Sequence, residues 1–317
     1  MNTQELVYWY ALNNITKVNT KRKNSIYIAA YKREPRLNII ELFENEDLWP
    51  ELALTEAERK AFVTAKKSLS NYSFEVEKLL NEGIELIPFH DPDDRYPQIL
   101  KINLGRLTPT LLFTKGEASL LKQHMIAIVG SRDANNIALQ FTQNVAARAV
   151  AEDKVVVSGF AKGIDRCALD AALYHKGRSV IVLPQGIATV SSSLRAYYQQ
   201  ILEGKLLILS TYNPNDRWAV GRAMGRNKFV YGLANQIYVA QTQNSGGTWE
   251  GATEGLKAKR PIYVRLPEPQ EAVANGELMK LGTRAVDLNG NEVPVPPEFQ
   301  PVAQAEEAPQ MKQGRLL

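Results

Sequence analysis

The apolar positions of this 317-residue chain change their spacing twice. Up to about residue 85 they recur at intervals of three and four, as in Leu6, Trp9 and Tyr10 and later Phe74, Val76, Leu79 and Leu80, which predicts amphipathic helices in a polar N-terminal region. A connecting stretch comes next, in which Pro88, Pro92, Pro97 and Pro109 forbid long helices. From Met125 to about Arg265, short runs rich in Val and Ile alternate with longer amphipathic ones. MIAIVG, KVVVSG, SVIVLP, KLLILS, QIYVAQ and PIYVR are the predicted strands, and FTQNVAARAVAED and IDRCALDAALYHK are helices between them. The strand runs are apolar throughout rather than alternating, as a strand buried on both faces requires. Strand and helix in alternation imply right-handed crossovers. The fold class is therefore α/β, a Rossmann-like parallel sheet with helices on both faces over residues 86–266, preceded by the helical region 1–85. Beyond residue 266 Pro, Glu, Gln and Ala dominate, with Pro294, Pro296 and Pro297 close together. A segment of that composition buries too little apolar surface to offset its ordering entropy, so residues 267–317 are expected to form a flexible tail.

Composition narrows the partners and the compartment. No apolar run is long enough to span a bilayer, and the start MNTQELVYWY lacks the regions of a signal peptide, so a cytoplasmic protein with no membrane partner is expected. The single cysteine, Cys167, excludes a disulfide within one chain. His90, His124 and His175 are too scattered to suggest a metal site. A formal charge of +4 favours polyanionic partners only mildly. The basic tract Lys17, Lys21, Arg22 and Lys23 reads first as a solvated turn and second as a phosphate contact.

The chemistry lies in the loops after the strands, because ligands of open parallel sheets sit outside the carboxyl ends of the strands. The first strand ends in Gly130, Ser131 and Arg132: a close-approach glycine, a hydroxyl donor and a guanidinium suited to phosphate. The second ends in Ser158 and Gly159, followed by Lys162, Gly163 and Asp165, with Asp165 placed to cap the next helix or accept from a ligand hydroxyl. After the fourth strand come Arg217, Arg222, Arg226, Asn227 and Lys228. The fifth leads into Ser245, Gly246, Gly247 and Thr248, just before a helix carrying Glu250. Glycine or small hydroxyl residues recur at every strand end, several with Arg or Lys beside them, which points to an anion site. The dinucleotide fingerprint GxGxxG is absent, against an ordinary NAD enzyme. For any one loop the plainer reading is a tight turn with solvated cations.

These residues also carry a resemblance. Tyr96-Pro97 with Leu100, IAIVGSR (126–132), VVSGFAKGID (156–165), Ala168, Ala172-Leu173, Gly177, Val182-Leu183, Gly186, Arg226-Asn227, Gly232-Leu233 and Ser245-Gly246 resemble, in order and spacing, the DprA/Smf family of DNA-processing proteins. The resemblance implies a mediator of recombination or DNA uptake rather than an enzyme. It implies a protein that binds single-stranded DNA with little sequence preference, loads a RecA-type recombinase and works as a homodimer without a cofactor. Arg132 and Lys162 would contact phosphates, with Arg226 and Asn227 shaping the pocket; Phe160, Tyr212, Trp218 and Trp249 are candidates for base stacking. The chain departs from the family pattern at Leu169, where histidine is usual, at Lys228 in place of a second arginine, and in GGTWEGATEG; no winged helix is expected after the core.

Two other readings stay open. Ser245-Gly246-Gly247-Thr248 with Glu250 is similar to the signature of LOG-like nucleotide phosphoribohydrolases, with the threonine-to-glutamate spacing one residue short; Asp165 and Glu250 would then form a carboxylate pair. A nucleotide-sensing domain is the other.

Overall fold

The computed structural model describes residues 1–190 and 192–301. Helices fill the N-terminal region: α1 (Thr3–Asn14), α2 (Thr20–Tyr31), α3 (Ile39–Glu44), α4 (Glu56–Lys67) and α5 (Leu69–Asn81). Three of them start in reciprocal capping boxes, Asn2 with Glu5, Asn38 with Glu41 and Thr55 with Glu58, which satisfy backbone donors that a helix start leaves free. The chain continues through β1 (Glu85–Pro88), α6 (Gln98–Leu104), β2 (Leu111–Gly116), β3 (Met125–Gly130), α7 (Asn136–Ala151), β4 (Val155–Ser158), α8 (Ile164–Tyr174) and β5 (Ser179–Val182). It ends with α9 (Tyr198–Leu202), β6 (Leu206–Ser210), α10 (Val220–Leu233), β7 (Gln236–Gln241), α11 (Gly247–Lys257), β8 (Ile262–Arg265), α12 (Asn275–Lys280), β9 (Arg284–Val286) and β10 (Glu292–Val293). No helix among the described residues is long and apolar enough to cross a membrane.

All six strands expected from the apolar runs are present, and they form the centre of one sheet ordered β1-β2-β6-β5-β4-β3-β7-β8-β9-β10. Neighbours from β6 to β9 run parallel; the pairs β1–β2, β2–β6 and β9–β10 are antiparallel. The Rossmann-like α/β fold is thus as read, with antiparallel edges that the apolar runs did not announce.

Residue parity divides the core. Ile126, Ile128 and Val156 face α7 and α8, whereas Ala127, Val129, Val155 and Val157 face α10 on the other side. The N-terminal helices cover the β5–β6–β2–β1 end of the first face, where Trp9, Phe43 and Phe62 share one cluster with Leu86, Phe113, Ile181 and Ile208. The helical region and the sheet are therefore packed through a common core.

The C-terminal segment corrects the expectation of a tail beginning at residue 267. Residues 275–293 contribute α12, β9 and β10, and Leu278, Met279, Ala285 and Val286 are buried. Average composition missed this because the prolines flank the segment, and a few apolar residues suffice when a sheet edge is waiting for them. The rest of the expected tail, residues 302–317, lies outside the described residues.

A buried ion pair fastens this segment. Arg265, on β8, meets Glu271 in a fork: Nη2 lies 2.5 Å from Oε1, and Nη1 donates to Oε2 at 3.0 Å. Arg265 Nε also donates to the Ala240 carbonyl at 2.9 Å, and Asn135 Nδ2 to Glu271 Oε1 at 2.6 Å. Burial alone would raise the Glu271 pKa, but the hydrogen bonds from Arg265, Asn135 and the Glu268 amide outweigh it and hold the carboxyl below its usual 4.5. Glu271→Gln is expected to destabilise the protein by about 3 kcal/mol, because it leaves a guanidinium charge stranded in the core. A shifted denaturant midpoint at neutral pH checks this. Because the folded pKa is the lower one, the wild-type increment is complete above pH 4.5 and disappears as pH falls through the folded value, so the two proteins should converge there.

Candidate functional site

The strand order reverses at β3: β4, β5 and β6 succeed one another on one side, β7, β8 and β9 on the other. At such a point the loops diverge and leave a crevice. Here it is a cavity of about 330 Å³ walled by the ends of β3, β4 and β7, one side of α10 from Val220 to Tyr231 and the start of α11. Of the candidate residues, it brings together Gly130, Ser131, Arg132, Gly159, Asp165, Arg226, Asn227, Ser245 and Gly246.

Two glycines are required by close approach. A Cβ on Gly159 would lie 1.4 Å from Arg226 Nη1. Gly163 has φ +82°, and a Cβ there would lie 2.4 Å from the Arg132 carbonyl oxygen and 2.5 Å from that of Ser131. The turn after β4 thus presses against the turn after β3, and only the hydrogen side chain permits it. Ser131 is held from the other side, its amide donating to the Gln241 carbonyl at 3.0 Å.

Arg226 forms the floor. Only 4% exposed, it donates from Nη1 to the Val182 carbonyl at 3.1 Å and lies 3.8 Å from Asp165 Oδ2; its Nε has no protein partner among the described residues. Burial pushes the Asp165 carboxyl up, opposed by Arg226, by the Ala161 and Gly159 amides and by Arg132. Arg132 stands exposed at the rim. The lip beside it is apolar: Trp218 is 50% exposed, Val220 63% and Met224 44%.

Three candidates lie elsewhere. Ser158 is fully buried at the end of β4. Gly163 and Lys162 belong to a neighbouring depression between α7 and α8, where the Lys162 ammonium sits 3.8 Å from Asp133 with both side chains in solvent. Among the stacking candidates, only Trp218 lines the cavity. Phe160, with φ +63°, lies under the Arg166 guanidinium at 3.9 Å and against Tyr197; Tyr212 donates its hydroxyl hydrogen to the Arg222 carbonyl; Trp249 packs against the apolar cluster beneath α10. Glu250 is exposed and outside the cavity, so it makes no site there with Asp165.

The sequence reading missed the residues that brace the site from the C-terminal segment. Asn275, fully buried, accepts from the Thr242 amide at 3.0 Å and donates to the carbonyls of Ala240 and Arg265 at 3.1 and 2.9 Å. Thr242 lines the cavity, so α12 holds the loop after β7 in place. No local signal marks Asn275; its role exists only once β7 and β8 lie side by side.

An open, mostly parallel sheet whose order reverses beside a glycine-walled crevice holding Arg132 and Arg226 defines a Rossmann-like α/β protein. Residues 86–292 match the family model of DNA recombination-mediator protein A, and the chain belongs to that family. It is 28% identical over 209 residues to DNA processing protein DprA of Streptococcus pneumoniae, covering 65% of this chain and 73% of that protein. With the DprA of Bacillus subtilis it shares 23% over 279 residues, covering 86% and 90%. In three dimensions it superposes on the X-ray structure of the S. pneumoniae protein with a TM-score of 0.69 at 21% identity, over 90% of this chain and 95% of that one. A structure of Helicobacter pylori DprA, described for its single-stranded DNA binding mode, gives 0.53 at 23% identity over 63% and 90%.

Gly163→Ala tests the contact between the two turns. The added methyl meets backbone rather than a movable side chain, so a loss of about 2 kcal/mol is expected. A lowered thermal midpoint with a displaced Arg132 amide resonance checks it; an unchanged midpoint would show that the turns do not touch.

Proposed function

We propose that this protein binds single-stranded DNA in the crevice at the end of β3 and acts as a recombination mediator. The observation that carries the reading is the pairing of a floor built on the buried Arg226 guanidinium with an exposed apolar lip. A strand offers phosphates to the one and base faces to the other, whereas a small anion uses only the floor. In this reading Arg132, the Ser131 hydroxyl and the amides of Gly130, Ser245 and Gly246 hold phosphates. Asn227 bonds to the strand, Arg226 and Asp165 shape the floor, and Trp218 stacks a base. Lys162, lying off the cavity, adds long-range attraction. Membership of the DNA recombination-mediator family and the single-stranded DNA described for the H. pylori relative support the same ligand. The bound strand is then passed to a RecA-type recombinase, with the protein acting as a homodimer.

The hydrolase reading lacks its carboxylate pair: Glu250 is outside the cavity and Asp165 faces Arg226.

Fluorescence titration of a labelled oligothymidylate at several salt concentrations tests the proposal. Affinity should fall steeply with salt, because each phosphate neutralised contributes about 0.7 to the slope of log K against log salt for single strands. Arg132→Glu should weaken binding of every sequence alike, and Lys162→Glu less so. Unchanged affinity in Arg132→Glu would remove the crevice from the binding site.

A further inference from the structure

A second hollow, of about 580 Å³, opens where α1 and α2 meet the sheet, and α10 contributes to its wall as it does to the crevice. Lys21, Lys23 and Lys228 line it. Lys23 is the unusual member. It is 7% exposed, and its Nζ donates to the Asn13 carbonyl at 2.7 Å, near the last turn of α1. That carbonyl accounts for one of three ammonium hydrogens. Among the described residues no carboxylate pairs with Lys21, Lys23 or Lys228, and the one acid in the wall, Asp216, faces Arg222 at 3.5 Å. Neighbouring Arg22, by contrast, is neutralised by Glu58 at 2.7 Å. Burial brings the Lys23 pKa down to about 8, and an anion entering the hollow would compensate the charge that the fold leaves without a counter-ion.

The position of the hollow matters as much as its charge. Along α10, Met224, Arg226 and Asn227 serve the crevice while Gly225 and Lys228 serve the hollow. Only one helix, about 10–12 Å across with its side chains, separates the two. Asn19 and Thr20, at the start of α2, add the free amides of a helix N-terminus to the wall.

We infer that this hollow is a second phosphate site for the same single strand, which leaves the crevice across α10 and lays its backbone against Lys21, Lys23 and Lys228. The inference rests on the single-strand reading above. It assigns the N-terminal helices a part in binding and makes the occluded length of DNA longer than the crevice alone would cover.

A comparison of two oligothymidylates, one of about five nucleotides and one of about twenty, separates the sites by reach. Lys21 and Lys228 are exposed, so the double variant Lys21→Gln/Lys228→Gln keeps the fold. It should bind the short oligonucleotide like wild type, and its salt slope for the long one should be lower by about 1.4, two single-strand phosphate contacts. Lys23→Met should add to that loss for the long strand alone. Equal losses at both lengths, or no loss at either, overturn the inference while leaving the crevice reading intact, provided Arg132→Glu weakens both. If Arg132→Glu affects neither length, the crevice reading falls and this inference falls with it. Saturation of the hollow by thymidine monophosphate, blocking the long strand without affecting the short one, would make it a nucleotide site and overturn the strand path.

Discussion

The site depends on a guanidinium set where a side chain would otherwise be. Arg226 reaches from α10 over the bare backbone of Gly159 to the Val182 carbonyl and the Asp165 carboxylate. One side chain thus joins α10 to the ends of β4 and β5 and to the first turn of α8. A buried charge without such partners costs several kcal/mol, so the arrangement is all or nothing. The floor of the crevice is thus part of the core, and its exposed side chains, Arg132, Trp218, Val220 and Met224 among them, stand at the rim.

The C-terminal segment extends the same principle. The Arg265–Glu271 pair and the buried Asn275 amide tie the edge of the sheet to the loop after β7, and through Asn135 to the start of α7. Loops that bind a ligand need a rigid frame behind them, and here that frame includes Asn275, bonded to the Ala240 carbonyl 35 positions away in sequence. The N-terminal helices do the equivalent on the opposite flank. Asn13 bonds to Thr110 and Asn213, and Asn24 to the carbonyls of Arg106 and Thr108, so those helices are fixed beside α10.

Charge alone would have been a poor guide to this surface. Lys162, between two glycines and just before a helix, has the local form of a phosphate ligand, yet the fold sends it to the outside of α8. Lys23, in a tract that reads as a solvated turn, ends up buried in the wall of a hollow. Arg226 lies in a run of cations and is the one in the core. Which of these cations turns inward depends on what the turn before α8 and the helices α2 and α10 are packed against, and that is not written in the residues beside them.

Without its fold, the chain determines the consequences of periodicity and local backbone chemistry. Continuous Val and Ile runs can be stable only as strands covered on both faces, and glycines at their ends mark turns tight enough to expose amides; hence the central sheet was legible, as were nine of the twelve candidate residues now gathered at the crevice. The tertiary structure alone decided whatever involves distance along the chain. The reversal of strand order, the antiparallel edges, the pairing of Arg226 with Asp165 and of Arg265 with Glu271, and the bracing by Asn275 each depend on which elements become neighbours. Adjacency across a sheet is a property of packing, because the apolar runs are nearly interchangeable as strands and say little about their order.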